Sequence, residues 1–246
     1  MGVSIHYSLR LPTRSVAKAE RTVQLVRGAA LELANQRGLG AVTPVFPLAE
    51  SVVFGTQYLI VDEGDYSRGI EVEPITGWCF AVTVGRDCEP AVFGLGRYPS
   101  TVEDGDRRRR TGLGGVWRFR GACKTQYASM HGRAHLLNCH RAVLDLALLW
   151  QVFGAEVEIV DEGEFHTTHD ADELFRRTDF VNRVTAGLAG ALKDEAEERG
   201  APPIKSPIFE HPLFEHLEAE AGPEIAEALA AIRAVLRRPE SEEAEG

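Results

Sequence analysis

Positive charge is scarce in this chain. Its 27 lysines and arginines face 37 aspartates and glutamates, leaving a formal net charge of −10 over 246 residues. Such a chain repels a phosphate backbone on average, which argues against sequence-independent nucleic-acid binding. The single basic run, Arg107–Arg110, directly follows Glu103-Asp104-Gly105-Asp106 and reads as a self-compensated, solvated loop. Cysteine is sparse too. The four residues at 79, 88, 123 and 139 form no Cys-x-x-Cys pair and no dense spacing, so an extracellular disulfide scaffold is not encoded. Long apolar runs are missing as well. The most apolar stretch, from Val143 to Phe153, is interrupted by Asp145 and Gln151 and is too short to span a bilayer. The first residues carry no basic segment followed by an apolar core, and position 6 is His where a myristoylation signal needs Ser or Thr. A soluble, cytoplasmic protein with reduced thiols and no membrane partner is the expectation.

What is present is regular patterning. Val3, Ile5, Tyr7, Leu9 and Leu11 alternate with polar residues, the period of a half-buried strand. Pro12 ends it, Thr13 or Ser15 can cap a helix, and apolar residues from Val16 to Leu33 recur at steps of three and four until Gly38. Residues 41–120 lack helical periodicity. Strands are predicted at Val52–Ile60, Ser67–Val72, Trp78–Val84, Ala91–Leu95 and Gly115–Phe119, parted by Gly, Asp and Pro clusters. A long apolar helix is predicted from Ser129 to Phe153, a strand over Glu156–Val160, and a helix beginning at Asp170, with Glu173 completing a capping box. Runs of strands between segregated helices predict an α+β fold, mostly antiparallel, with helices mainly on one face and a C-terminal helical extension. The expected division is one domain over 1–199, a Pro-rich connection and helices over 200–238, and an acidic, disordered tail over 239–246.

Several short motifs stand out. They are Cys88-Glu89-Pro90, then Cys123-Lys-Thr-Gln-Tyr-Ala-Ser129, Cys139-His140, and Asp161-Glu162-Gly163 followed two residues later by Phe165. With the Val3-Ser-Ile-His-Tyr7 strand and Phe93-Gly-Leu95, they give the chain a resemblance to a family of uncharacterised bacterial proteins. The resemblance covers about two thirds of the chain, and this chain departs from the family pattern at His166-Thr167. It implies no activity, but it groups the motifs into one constellation.

Three kinds of chemistry suit these residues. His131, His135 and Cys139 recur every four residues along one helix face, and His166, His169 and Asp170 cluster beyond Asp161 and Glu162, so either set can be weighed as a divalent-metal site. Neither outweighs the structural reading, core and loop histidines with a capping aspartate, and no metal or other cofactor is assigned. Lys124, Gln126 and Tyr127 suit a nuclease-like site, but Ala122 stands where the metal-holding carboxylate belongs. Cys123, or Cys88, can act as a nucleophile if Lys124 and a helix start lower its pKa and His140 or His6 serves as base. Two functional readings follow. In the first, Lys124, Gln126, Tyr127, Asp161 and Glu162 line a polar cleft that binds a small anionic or peptide ligand, or a partner protein. In the second, the same cleft is hydrolytic through a metal or Cys123.

Overall fold

The structure, a computed structural model, describes residues 2–48, 57–62 and 65–221. Part of the predicted strand Val52–Ile60 and all of the predicted C-terminal tail lie outside the described residues. The described residues fall into two compact units, one within Val3–Leu174 and one from Phe175 to Ala221 that also takes in Gly2.

The first unit is built on a six-stranded sheet of β1 (Ser4–Leu11), β2 (Phe46–Pro47), β5 (Thr76–Val82), β6 (Ala91–Arg97), β9 (Trp117–Lys124) and β10 (Glu156–Asp161). The spatial order is β10-β1-β9-β6-β5-β2, and every pairing is antiparallel. Two hairpins stand apart: β3 (Gln57–Asp62) with β4 (Asp65–Val72), and β7 (Thr101–Asp104) with β8 (Arg107–Arg110). The last of these corrects the loop expected at Arg107–Arg110. Cross-strand charge explains the pairing, because Arg109 meets Asp104 and Arg108 lies near Glu103 on the facing strand.

Strand periodicity sets the core. Ile5, Tyr7, Leu9 and Leu11 of β1 point the same way as Phe119 and Cys123 of β9 and Phe93 and Leu95 of β6, and all are fully buried. Tyr7 stacks on Phe93, ring centroids 4.6 Å apart, and its hydroxyl donates to Val92 O at 2.7 Å. Two long helices, α1 (Val16–Arg37) and α2 (Arg133–Val152), pack against each other and against this sheet, the one-faced arrangement that the patterning predicts. Trp150 of α2 is completely buried beside Phe80. Ser15 caps α1 by accepting from Lys18 N. Ser15→Ala should therefore cost about 1 kcal/mol in urea unfolding, with an unchanged denaturant slope.

A short α3 (Phe165–Thr168) follows β10, and α4 (Ala171–Glu198) begins after Asp170, whose carboxylate accepts from the amides of Asp172 and Glu173. The division between the units falls inside α4. In the second unit, Phe209 and Phe214 meet edge-on beside Ile204 and Pro203, around a cavity of about 460 Å³. No helix among the described residues is long and apolar enough to cross a membrane.

Candidate functional site

Antiparallel register brings the motifs to one end of the sheet. Ser4 of β1 lies opposite Lys124, and Ile5 lies opposite both Cys123 and Asp161. The chain reversal between β5 and β6 closes at the same end, where the Glu89 amide donates to Lys124 O at 3.1 Å and Lys124 N donates to Glu89 Oε2 at 3.2 Å. Segments from 35 to 158 residues apart in the chain thus share one rim.

Alternation along β9 splits the rim into two sides. Cys123 and Thr125 face the helices, and Lys124 faces the opposite, open side. On the helix side, His140 is completely buried and joins the Thr125 and Asp161 segments. Its Nδ1 lies 2.9 Å from Thr125 Oγ1, and its Nε2 lies 2.9 Å from Asp161 Oδ1. The arrangement that gives every donor an acceptor has Thr125 donating to Nδ1 and Nε2–H donating to the carboxylate. Asp161 is further held by the amides of Gly163 and His166, each at 2.8 Å. Burial alone would push the Asp161 carboxyl up, but His140 and these two amides outweigh it and hold it below the usual carboxylate range.

Beside this relay lies a group of thiols. Cys88, Cys123 and Cys139 come together, although one follows β5, one is in β9 and one is in α2. Cys123 is fully buried, donates to Glu89 O at 3.1 Å, and has its pKa raised by burial. The Cys139 Sγ lies 3.5 Å from His135 Nε2. The Cys88 thiol lowers the pKa of Cys139, burial opposes it, and His135 lowers it further, for a net fall. Cys88 itself is pushed up. Gly85 makes room for Cys139, since a Cβ there would sit 2.2 Å from Cys139 Sγ. His131 pairs with Asp87, a residue at φ 57° in the left-handed region, and His135 Nε2 also lies 3.2 Å from Arg86 O.

The five binding candidates separate by depth. Gln126 is fully buried, and the Asp161 carboxylate is 2% exposed. Lys124 and Tyr127 are half-buried at the rim, with the Lys124 ammonium 4.9 Å from the centroid of the Tyr127 ring. Glu162 is exposed and accepts from Ser4 N at 2.8 Å, with His6 3.7 Å from its other oxygen. The helix entrance expected just after Cys123 is displaced, because β9 runs through Lys124, a 3-10 turn occupies Gln126–His131, and α2 starts only at Arg133. Beyond Asp161, the His166 amide binds its carboxylate, His169 packs edge-on against Phe165, and Asp170 caps α4. Among the described residues, no group of three or more His, Cys, Asp and Glu side chains is disposed to hold a metal ion.

Thr125 is the partner that sequence reasoning passed over. Nothing in Lys-Thr-Gln distinguishes a hydroxyl that reaches a histidine fifteen residues on from one that faces water. Comparison of the chain with family models, with curated proteins and with solved structures returned no match.

Proposed function

We propose that this end of the sheet is a binding module for a small anionic ligand, held on the open side by Lys124 and Tyr127. The observation that carries the reading is the uncommitted charge of Lys124. Among the described residues its ammonium meets an aromatic ring and no carboxylate. One oxygen of each neighbouring carboxylate, Glu89 and Glu162, accepts from a backbone amide. A ligand carboxylate or phosphate would complete the lysine, and a flat or apolar part would lie against Tyr127. Thr125 and Asp161, tied together through His140, fix the two flanking segments in advance, which lowers the ordering cost of binding. An acidic side chain of a partner protein offers the same chemistry. The hydrolytic reading through Cys123 has less support, because that thiol is buried, raised and already donating to a carbonyl.

Titration of labelled protein with succinate and with inorganic phosphate, followed by NMR, tests the proposal. Saturable shifts at Lys124 and Tyr127 are expected, with affinity falling about tenfold or more in Lys124→Ala, as suits the loss of a charge-assisted contact. Shifts that are absent for both anions, or unchanged by Lys124→Ala, would refute it. Lys124 is half-buried at the rim, so the variant should fold normally.

A further inference from the structure

We propose that the open face of the sheet carries a second binding site, a slot over Ser8 that takes the zwitterion of a small α-amino acid. The slot uses none of the side chains of the ligand rim. Arg120, its nearest residue on β9, precedes Lys124 by four residues, about 13 Å along the strand.

Register builds the slot. Arg118 and Arg120 alternate with Trp117 and Phe119 and so share the open side with Lys124. On that side Arg10 of β1 stands between Glu156 of β10 and Arg118 of β9, and two residues along, Ser8 stands between Glu158 and Arg120. In the first row neighbouring strands pair, because Arg10 donates to both carboxylate oxygens of Glu156. In the second row the middle residue is a serine, too short to pair with the charge on either side. Across β1, β9 and β10 lie about 10 Å apart, so Arg120 and Glu158 face each other over a gap. The dent is a cavity of about 90 Å³, lined by Ser8 and by these charged side chains.

The charges left over are dipolar. Among the described residues the side chains of Arg118, Arg120 and Glu158 have no ion-pair partner. With Arg10 and Glu156 committed to each other, two guanidiniums remain on the β9 side and one carboxylate on the β10 side. Arg118 is half-buried, and its Nε is buried without a hydrogen-bond partner. A guanidinium that has lost water without gaining an acceptor attracts an anion more strongly than a solvated one, and a ligand carboxylate offsets that cost. A simple anion is at the same time repelled by Glu158. An α-amino acid answers both walls. Its carboxylate lies toward Arg118 and Arg120, whose planar forks suit it, and its ammonium lies toward Glu158. The small volume favours a short side chain, to which the half-buried Leu113, also lining the cavity, offers an apolar contact.

NMR titration of labelled full-length protein with L-alanine tests the assignment, with propionate and ethylamine as probes that carry one charge each. L-Alanine should produce saturable shifts at Ser8, Arg118, Arg120 and Glu158, away from Lys124 and Tyr127. Propionate and ethylamine should bind about tenfold or more weakly than alanine. Arg120→Gln and Glu158→Gln should each weaken alanine binding about tenfold or more, since each removes one charge-assisted contact. Glu158→Gln should also strengthen propionate binding, because the repulsion is gone. Both side chains are exposed and unpaired, so both variants should fold as the wild type does. Propionate binding as tightly as alanine, or alanine binding unchanged in Glu158→Gln, would overturn the proposal and leave a site for anions only. Alanine shifts that do not saturate at Ser8, or that are confined to Lys124 and Tyr127, would overturn it as well.

Discussion

Replacing His140 by alanine is expected to destabilise the protein by about 3–4 kcal/mol, the cost of breaking a buried pair and leaving one partner behind. The imidazole is 0% exposed, and its removal strands the Thr125 hydroxyl and the Asp161 carboxylate together in the core. Asp161→Asn is nearly isosteric and should cost less, about 2 kcal/mol, since an amide cannot accept from the ring N–H and from the amides of both Gly163 and His166. Thr125→Val should cost about 1–2 kcal/mol by leaving Nδ1 unpaired. The three losses should not add, because each substitution dismantles the same relay. The carboxylate also sets a pH dependence. Its folded pKa is depressed, so its contribution is fully present above the ordinary carboxylate value of about 4 and is lost as pH falls through the lower folded value. Chemical denaturation of wild type and Asp161→Asn should show a stability gap that is constant above pH 5 and narrows toward pH 2.

Gly94→Ala should be nearly as damaging, at about 3 kcal/mol, from overpacking inside the sheet. Gly94 lies opposite Cys79 in the β5–β6 pair, and a Cβ there would stand 2.5 Å from Trp78 O and 2.7 Å from Cys79 Cβ. Neither neighbour is a flexible side-chain end, so a strand must move. β6 is buried along Ala91–Gly96, and its register positions the Cys88–Pro90 loop against β9. The variant should therefore lose stability and also disturb the thiol group, read as faster alkylation of Cys88 and Cys139. A change in neither would show that the strand spacing has more slack than the contacts indicate.

Much of the scaffold was legible from periodicity alone. β1 shows its alternation, α1 its cap and its ending at Gly38, and β10 its own two-residue alternation. The β7–β8 hairpin was not legible, since its strands carry charge in place of an apolar face, and only the facing strand reveals why Arg107–Arg110 is extended. The motifs marked the right end of the molecule but not how its parts connect. The 123–127 and 161–165 segments are related through β1, the first strand of the chain, and no local pattern encodes that pairing. The sequence offers His140 as a base for Cys123, yet the ring faces Thr125 and Asp161. Cys139 fitted an apolar helix face, and its burial agrees. Local rules place residues on faces, and long-range register decides which faces meet.

His140 ties the Thr125 and Asp161 segments together, so the state of that ring is the most direct test of the site as one pre-organised unit. Nitrogen-detected NMR of the imidazole should show a single neutral tautomer with the proton on Nε2, a slowly exchanging N–H correlated with Asp161, and loss of that signal's protection in Thr125→Val or Asp161→Asn. A ring proton on Nδ1, or one that exchanges with water as fast as a surface histidine's, would contradict the account.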